Sequence, residues 1–346
     1  MKAAVFEGPE QFFVREVPDP KPEPGGVLLR VRACAICGTD QRIYRYGDPK
    51  LTPPMITGHE FAGEVVELGE GTTGLKVGDR VVVAPPAITC GECYMCKAGY
   101  ENLCLNRRGI GYKFPGGFAE FCAIPAQAVR EGVLLPIPEH MSFAHAAITE
   151  PLACVVNGQK PLDIGEGDTV VVIGAGAIGL MHGQLARAKG ASRVFIIDVS
   201  PKRLEMAESH GFDRVIDGSA TDPVEEVMRL TDGRGASVAI TATTANVAAE
   251  QAVEMVGKRG RVSFFAGLPK TNPKATINAN RVHYFEISIF GASASSKADN
   301  RAALNYLSTG AVKAETIITH RFPLDEIIPA MEKMRRGETL KIVIEP

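Results

Sequence analysis

The chain carries almost no charge excess: 38 Lys and Arg stand against 40 Asp and Glu, a net charge of −2. Without a cationic face there is no electrostatic footing for nucleic acid or an anionic membrane, since both are held through clustered Lys and Arg. Long hydrophobic runs are also missing. The longest, residues 170–181, is about 12 residues with three glycines inside it, whereas a membrane-spanning helix needs about 20 apolar residues. The opening Met1-Lys2-Ala3-Ala4-Val5-Phe6-Glu7 meets a charge and then Gly8-Pro9 before any leader-like apolar core can form. A cytoplasmic protein is therefore expected. There is no internal repeat and no low-complexity tract.

What is there is ordinarily globular: 346 residues, 45% hydrophobic and 23% charged. Single cores stop growing at about 250–300 residues, so two domains are expected. Eight cysteines are too many to pass over. In a large cytosolic chain, clustered cysteines bind metal more often than they pair with each other.

The first 150 residues hold short β-type runs, such as 27–32, 62–68 and 80–84, separated by Gly and Pro punctuation. That pattern predicts a mostly antiparallel, barrel-like or sandwich domain. The texture changes after Glu150. Strand runs at 169–173, 194–198, 237–242 and 262–266 alternate with helical patterns at 178–189, 202–210 and 245–256. Alternation of this kind predicts an α/β unit, a doubly wound parallel sheet covered by helices. From about residue 290 follow a helix at 300–309 and a final apolar strand at 341–344.

Gly174-Ala175-Gly176-Ala177-Ile178-Gly179 matches G-x-G-x-x-G, directly after the 169–173 strand and at the start of a helix. Asp198 ends the next strand, 19 residues past Gly179. That context is what dinucleotide binding needs. Gly174 permits the tight turn, Gly176 lets the backbone approach a pyrophosphate at the helix N-terminus, and Gly179 lets helix and strand pack closely. Asp198 would accept hydrogen bonds from the adenosine ribose and repel a 2′-phosphate, which favours NAD over NADP. Arg203 either offsets that repulsion or is a solvated helix residue. Together with Ile178, these are the candidate cofactor contacts.

Cys90, Cys93, Cys96 and Cys104 place four thiols within 15 residues, a spacing that lets one loop wrap a tetrahedral ion. Four sulfurs leave no open position, so a structural zinc is expected, stapling an irregular lobe at 87–106. Spacing does not fix metal identity, and an iron–sulfur cluster stays open. So does a pairing of Cys34 and Cys37 with Cys90 and Cys93, although that leaves Cys96 and Cys104 unexplained. Cys34, Cys122 and Cys154 read as small buried hydrophobes, and His140, His145, His182, His210, His283 and His320 as non-catalytic.

Cys37-Gly38-Thr39-Asp40, Gly58-His59-Glu60 and Glu150-Pro151 offer a thiolate, an imidazole and two carboxylates. Catalytic zinc uses mixed ligands like these and keeps one position for water or substrate. Here the chain resembles the zinc-containing medium-chain dehydrogenase/reductase family over essentially its whole length. The resemblance rests on CGTD at 37–40, GHEFAGEVVELGEG at 58–71, GDRV at 78–81 and the four-cysteine lobe at 90–104. EPLACVVNG at 150–158 and VVVIGAGAIGLM at 170–181 complete it. Glu150, where classical alcohol dehydrogenases carry cysteine, is similar to the sorbitol (polyol) and threonine dehydrogenase branch.

The resemblance implies a GroES-like, mostly-β catalytic domain at 1–154 and 290–346, and a Rossmann domain at 155–289. It implies two zinc ions per chain: a structural one, and a catalytic one held by Cys37, His59 and Glu60, with Glu150 binding directly or through the metal's water. Asp40 would orient His59. Thr39 would pass on the alcohol's proton, or else satisfy nearby backbone as a turn hydroxyl. The implied reaction oxidises a secondary alcohol, a polyol or sugar alcohol, to a ketone by hydride transfer to NAD across an interdomain cleft. L-threonine 3-dehydrogenase activity is the runner-up, and a metal-free nucleotide-binding protein a third reading. The implied partners are a small-molecule alcohol and further copies of the chain, as homodimer or homotetramer. One position departs from the family pattern: Arg42 stands five after Cys37, where a relay histidine is common, and a guanidinium cannot shuttle protons at neutral pH. Arg42 would contact substrate or a cofactor phosphate, or face solvent. Tyr44 and Tyr46 would line the substrate cleft or pack in the core.

Overall fold

A computed structural model describes residues 1–49, 51–84 and 88–346. Its packing forms two compact units: Met1–Ala153 with Ala294–Gly310 and Ala314–Pro346, and Cys154–Ser293 with Ala311–Lys313. From sequence the breaks fall at 154/155 and 289/290. The second break moves to 293/294 because Ser288–Gly291, unread as a strand, joins the parallel sheet of the second unit.

In the first unit, residues of alternating character make the long strand Val27–Ala35: Val27, Leu29, Val31 and Ala33 are buried while Arg30 and Arg32 are exposed. It pairs antiparallel with Glu60–Leu68, and two register shifts, at Leu28/Leu29 and Val31/Ala33, bend the pair as bulges do. The seven-stranded sheet runs Ile318–Pro323, Lys341–Glu345, Val27–Ala35, Glu60–Leu68, Arg80–Val83, Leu134–Pro136, with Phe121–Ile124 also on Val27–Ala35. All its pairs are antiparallel except Ile318–Pro323 with Lys341–Glu345. A smaller sheet joins Gln11–Glu16, Lys2–Gly8 and Met55–Ile56. Phe6, Leu29, Phe61, Phe118, Ile342 and Ile344 fill the core.

The second unit is a six-stranded sheet whose pairs are all parallel. Its order is Arg214–Asp217, Arg193–Asp198, Thr169–Ile173, Ala236–Thr241, Val256–Phe264, Ser288–Gly291. Counted along the chain this is 3-2-1-4-5-6, the doubly wound order, which reverses between the first and fourth strands. The glycine turn follows the first of these, so it opens at the switch point. Every residue of Thr169–Ile173 is buried, as a strand covered on both faces requires. The strand read at 262–266 begins at Val256, because Gly257, Gly260 and the positive φ of Arg259 interrupt its apolar pattern. No helix among the described residues is long and apolar enough to cross a membrane.

Leu29 is fully buried at the centre of the first core. Leu29→Ala is expected to lower unfolding stability by roughly 2–5 kcal/mol, against less than about 0.5 kcal/mol for exposed Val77→Ala. Urea denaturation of the two variants checks this.

Candidate functional site

Strand register builds the first metal centre. Ala35 lies opposite Glu60 in the Val27–Ala35/Glu60–Leu68 pair. Cys37, two residues on, and His59, one residue before, are therefore delivered to the same edge. Ligand atoms of Cys37, His59 and Glu60 all lie within 4.8 Å of one another. Cys37 caps the N-terminus of the helix Gly38–Tyr46. Its backbone N–H donates to Asp40 Oδ2 at 2.8 Å. Gly58 leaves His59 room to turn in: a Cβ there would stand 2.8 Å from Cys34 Sγ and 2.9 Å from the Phe118 ring.

The surroundings fit a cation. Asp40, His59 and Glu60 are buried, and Asp40 Oδ1 and His59 Nδ1 have no hydrogen-bond partner among the described residues. Asp40 Oδ1 faces His59 Nδ1 at 3.6 Å, longer than a hydrogen bond. Buried acids without compensation are costly, and Lys341 is the only buried Lys or Arg among the described residues. Its Nζ donates to Glu60 Oε1 at 2.9 Å and to the Ile36 carbonyl at 3.1 Å, and lies 2.7 Å from Glu60 Oε2. Burial disfavours the His59 imidazolium, yet its neighbours Tyr112, Asp40 and Cys37 raise its proton affinity well above the ordinary range.

Two neighbours went unread in the sequence. Lys341 sat inside an apolar strand, and its charge in that run was the one available signal. Tyr112 tilts over His59 with ring centroids 5.2 Å apart, and burial pushes its phenol up, which keeps it protonated. Nothing in the local sequence marks it.

Glu150, in the first turn of the helix Thr149–Gln159, stands outside the three-ligand set, though its charge reaches Tyr112 and Lys341. Thr39 is half-buried and its hydroxyl makes no hydrogen bond among the described residues. Arg42 pairs with Asp48 at 3.1 Å. Tyr44 packs against Phe12. Tyr46 is 69% exposed, which corrects a core position for it. Cys34 and Cys122 are buried, with thiols pushed up by burial, but Cys154 is only half-buried. His182 is a core histidine held down to about 3 by burial, bonded to Gln159 and set edge-on to Phe265.

Cys90, Cys93, Cys96 and Cys104 also gather within 4.8 Å. Sγ–Sγ separations are 3.5 Å for Cys93–Cys96 and Cys90–Cys104, and 4.0 Å for Cys90–Cys96. Four sulfurs about 2.3 Å from a central ion stand roughly 3.8 Å apart, so the spacing suits an ion. None of the eight cysteines is joined in a disulfide. Backbone N–H groups of Leu105 and Cys96 push Cys93 down to about 6, whereas burial and Cys93 itself push Cys96 up to about 12. Thiols this close resist ionising together unless a cation joins them. Ala87, the first residue of the expected lobe, lies outside the described residues.

In the second unit, Gly174 has φ 115° and a Cβ on it would meet the Ala242 carbonyl oxygen at 2.7 Å. A Cβ on Gly179 would fall 1.7 Å from the Gly174 carbonyl oxygen. Around Gly176, the N-cap of the helix Ala177–Ala188, the space is open except for Arg203 Nη1 at 3.9 Å, and Ile178 sits half-buried in the first turn. Asp198 Oδ2 accepts from Ala175 N–H, and Oδ1 from the N–H groups of Val199 and Ser200. Most of its acceptor capacity thus holds the turn itself. Arg203 Nη1 is 3.9 Å from Asp198 Oδ2, so Arg203 leans over the loop.

These features define a class: a GroES-like unit with a mixed-donor metal pocket and a four-cysteine lobe, in one chain with a Rossmann unit. Residues 23–138 match the alcohol dehydrogenase GroES-like domain, and residues 177–309 the zinc-binding dehydrogenase domain. A sorbitol dehydrogenase of Halalkalibacterium halodurans is 36% identical, covering 100% of this chain and 99% of the relative. An L-threonine 3-dehydrogenase of Pyrococcus horikoshii is 37% identical over 95% and 93%. A solved zinc-binding dehydrogenase of Sinorhizobium meliloti, bound to NADP, superposes with a TM-score of 0.92 at 32% identity, covering 100% and 99%. The chain belongs to the zinc-containing medium-chain dehydrogenase family and is a dinucleotide-binding oxidoreductase of the zinc-type alcohol dehydrogenase class.

Two substitutions separate the sites. Gly179→Ala drives a methyl into the Gly174 carbonyl, so NADH titration followed by fluorescence should lose saturable binding while zinc content is unchanged. Cys96→Ser should remove one zinc per chain by elemental analysis and lower the melting temperature, leaving the metal bound through Cys37 in place.

Proposed function

We propose that the chain oxidises a secondary hydroxyl of a small polyol or sugar alcohol to a ketone, with NAD as hydride acceptor. A single observation carries this function: Cys37, His59 and Glu60, distant donors of three chemical kinds, converge in one buried pocket. Cys37, His59 and Glu60 would hold a zinc ion whose Lewis acidity would lower the alcohol's pKa toward neutral pH. Glu150 closes the site from outside the ligand set, through water. Thr39 Oγ1, with no hydrogen-bond partner among the described residues, accepts the substrate's hydroxyl proton as it passes its own on toward the nicotinamide ribose and solvent. Arg42, tied to Asp48, takes no part in that transfer. The four cysteines hold a second, structural zinc with no open position.

The helix N-terminus after Gly176 receives the pyrophosphate. The Asp198 carboxylate disfavours a 2′-phosphate, and Arg203 offsets that only in part from 3.9 Å. Eight cysteines without a disulfide among them suit a reducing cytoplasm. The strand Ser288–Gly291 ends its sheet with an exposed Ile289, an edge on which a second copy pairs to give a homo-oligomer.

A second substrate, L-threonine, is favoured by the similar identity to the Pyrococcus horikoshii enzyme. A panel of sorbitol, other polyols and L-threonine, each with NAD and NADP before and after chelation, tests both. NADH should form with polyols and stop when zinc is stripped. Turnover of threonine with inert polyols replaces the first substrate by the second, and turnover that survives complete zinc removal sinks the proposed chemistry.

A further inference from the structure

Lys341 is a costly residue to find where it is. It occupies the first position of the strand Lys341–Glu345, is 4% exposed, and is followed by Ile342, Val343 and Ile344 in the core. An aliphatic side chain would suit that strand better, because burying an ammonium group costs several kcal/mol unless every proton finds a partner. Its protons do. The strand lies antiparallel to Val27–Ala35, with Ile344 opposite Cys34 and the Ile36 N–H bonded to the Ile342 carbonyl. The side chain thereby reaches the Ile36 carbonyl, one residue before Cys37, and both oxygens of Glu60. One ammonium group therefore touches the backbone that carries one metal ligand and the carboxylate that is another.

We propose that Lys341 is a positioning residue that shares Glu60 with the metal, aiming the carboxylate beside Cys37 and His59 while taking up part of its charge, so that the ion is held less tightly. This rests on the metal-site reading above. A purely structural Lys341–Glu60 pair would stabilise the sheet and leave the metal's behaviour alone. A shared carboxylate makes an opposite and specific demand. Without the lysine, the whole charge of Glu60 falls to the metal, and the ion leaves more slowly although the protein has lost a buried partner.

The test follows zinc release from the full, zinc-loaded chain to a chromogenic chelator, counting only the zinc that Cys37→Ala lacks. Absence of any such fraction sinks the metal-site reading itself, whatever Lys341 does. Lys341→Met should slow release of that fraction by about fivefold or more, and a smaller slowing, no change or faster release overturns the proposal. Lys341→Arg, which keeps the charge, should release zinc at a rate nearer the wild type than Lys341→Met, and the reverse overturns it. Should Lys341→Met fail to fold, Glu60→Gln is compared with the double variant Lys341→Met/Glu60→Gln, in which no buried charge of the pair is left alone. If the lysine acts through Glu60, the two release zinc within about threefold of each other, and a larger difference counts against it.

Discussion

The antiparallel register of Val27–Ala35 against Glu60–Leu68 is the constraint on which the metal pocket depends. Setting Ala35 opposite Glu60 places the chain entering Cys37 and the chain leaving His59 at the same end of one strand pair. Because side chains alternate faces along a strand, a one-residue slip would turn Glu60 away from its present face. The same slip would move the alternating apolar residues of Val27–Ala35 out of the core. The hydrophobic pattern that fixes the fold therefore also fixes the ligand geometry, and the strand pair cannot drift without losing both.

The two candidate metal loci solve the donor problem differently. The four-cysteine lobe gathers its ligands within one loop, with little regular structure beyond the short helix Tyr94–Lys97, and its coherence depends on close-set thiols that a cation would reconcile. The Cys37 pocket takes donors from separate elements, surrounds them with buried groups lacking partners, and has one ammonium group nearby. A closed local site suits stapling. An asymmetric site built from several elements suits chemistry, because its neighbours can be varied one at a time.

How much of this could be read in the sequence follows from how local each feature is. The glycine turn, Asp198 and the cysteine lobe lie in short contiguous patterns, and the structure brings each group together. Cys37, His59 and Glu60 were visible through family motifs, but their convergence belongs to strand register, which no spacing displays. Lys341 and Tyr112 were missed because their roles come from what packs beside them. Asp198 is read from sequence as a ribose contact, and the bonds its oxygens also accept from Ala175, Val199 and Ser200 N–H groups belong to loop geometry that no local pattern displays. Strand Val256–Phe264 was half seen, since its glycines and the turn at Arg259 hide the apolar run. Arg42 is held by Asp48, a partner that close spacing alone did not single out.

The contact between Lys341 and Glu60 spans 281 residues of chain. Contacts of such separation close late, after the entropy of the intervening segment has been reduced by its own folding. The parallel sheet of the second unit lies within that segment. A chain still organising it would hold Cys37, His59 and Glu60 near one another with no ammonium group to restrain the carboxylate. Were Lys341 to tune the metal as proposed, an ion captured before that contact closes would be gripped before its grip is adjusted.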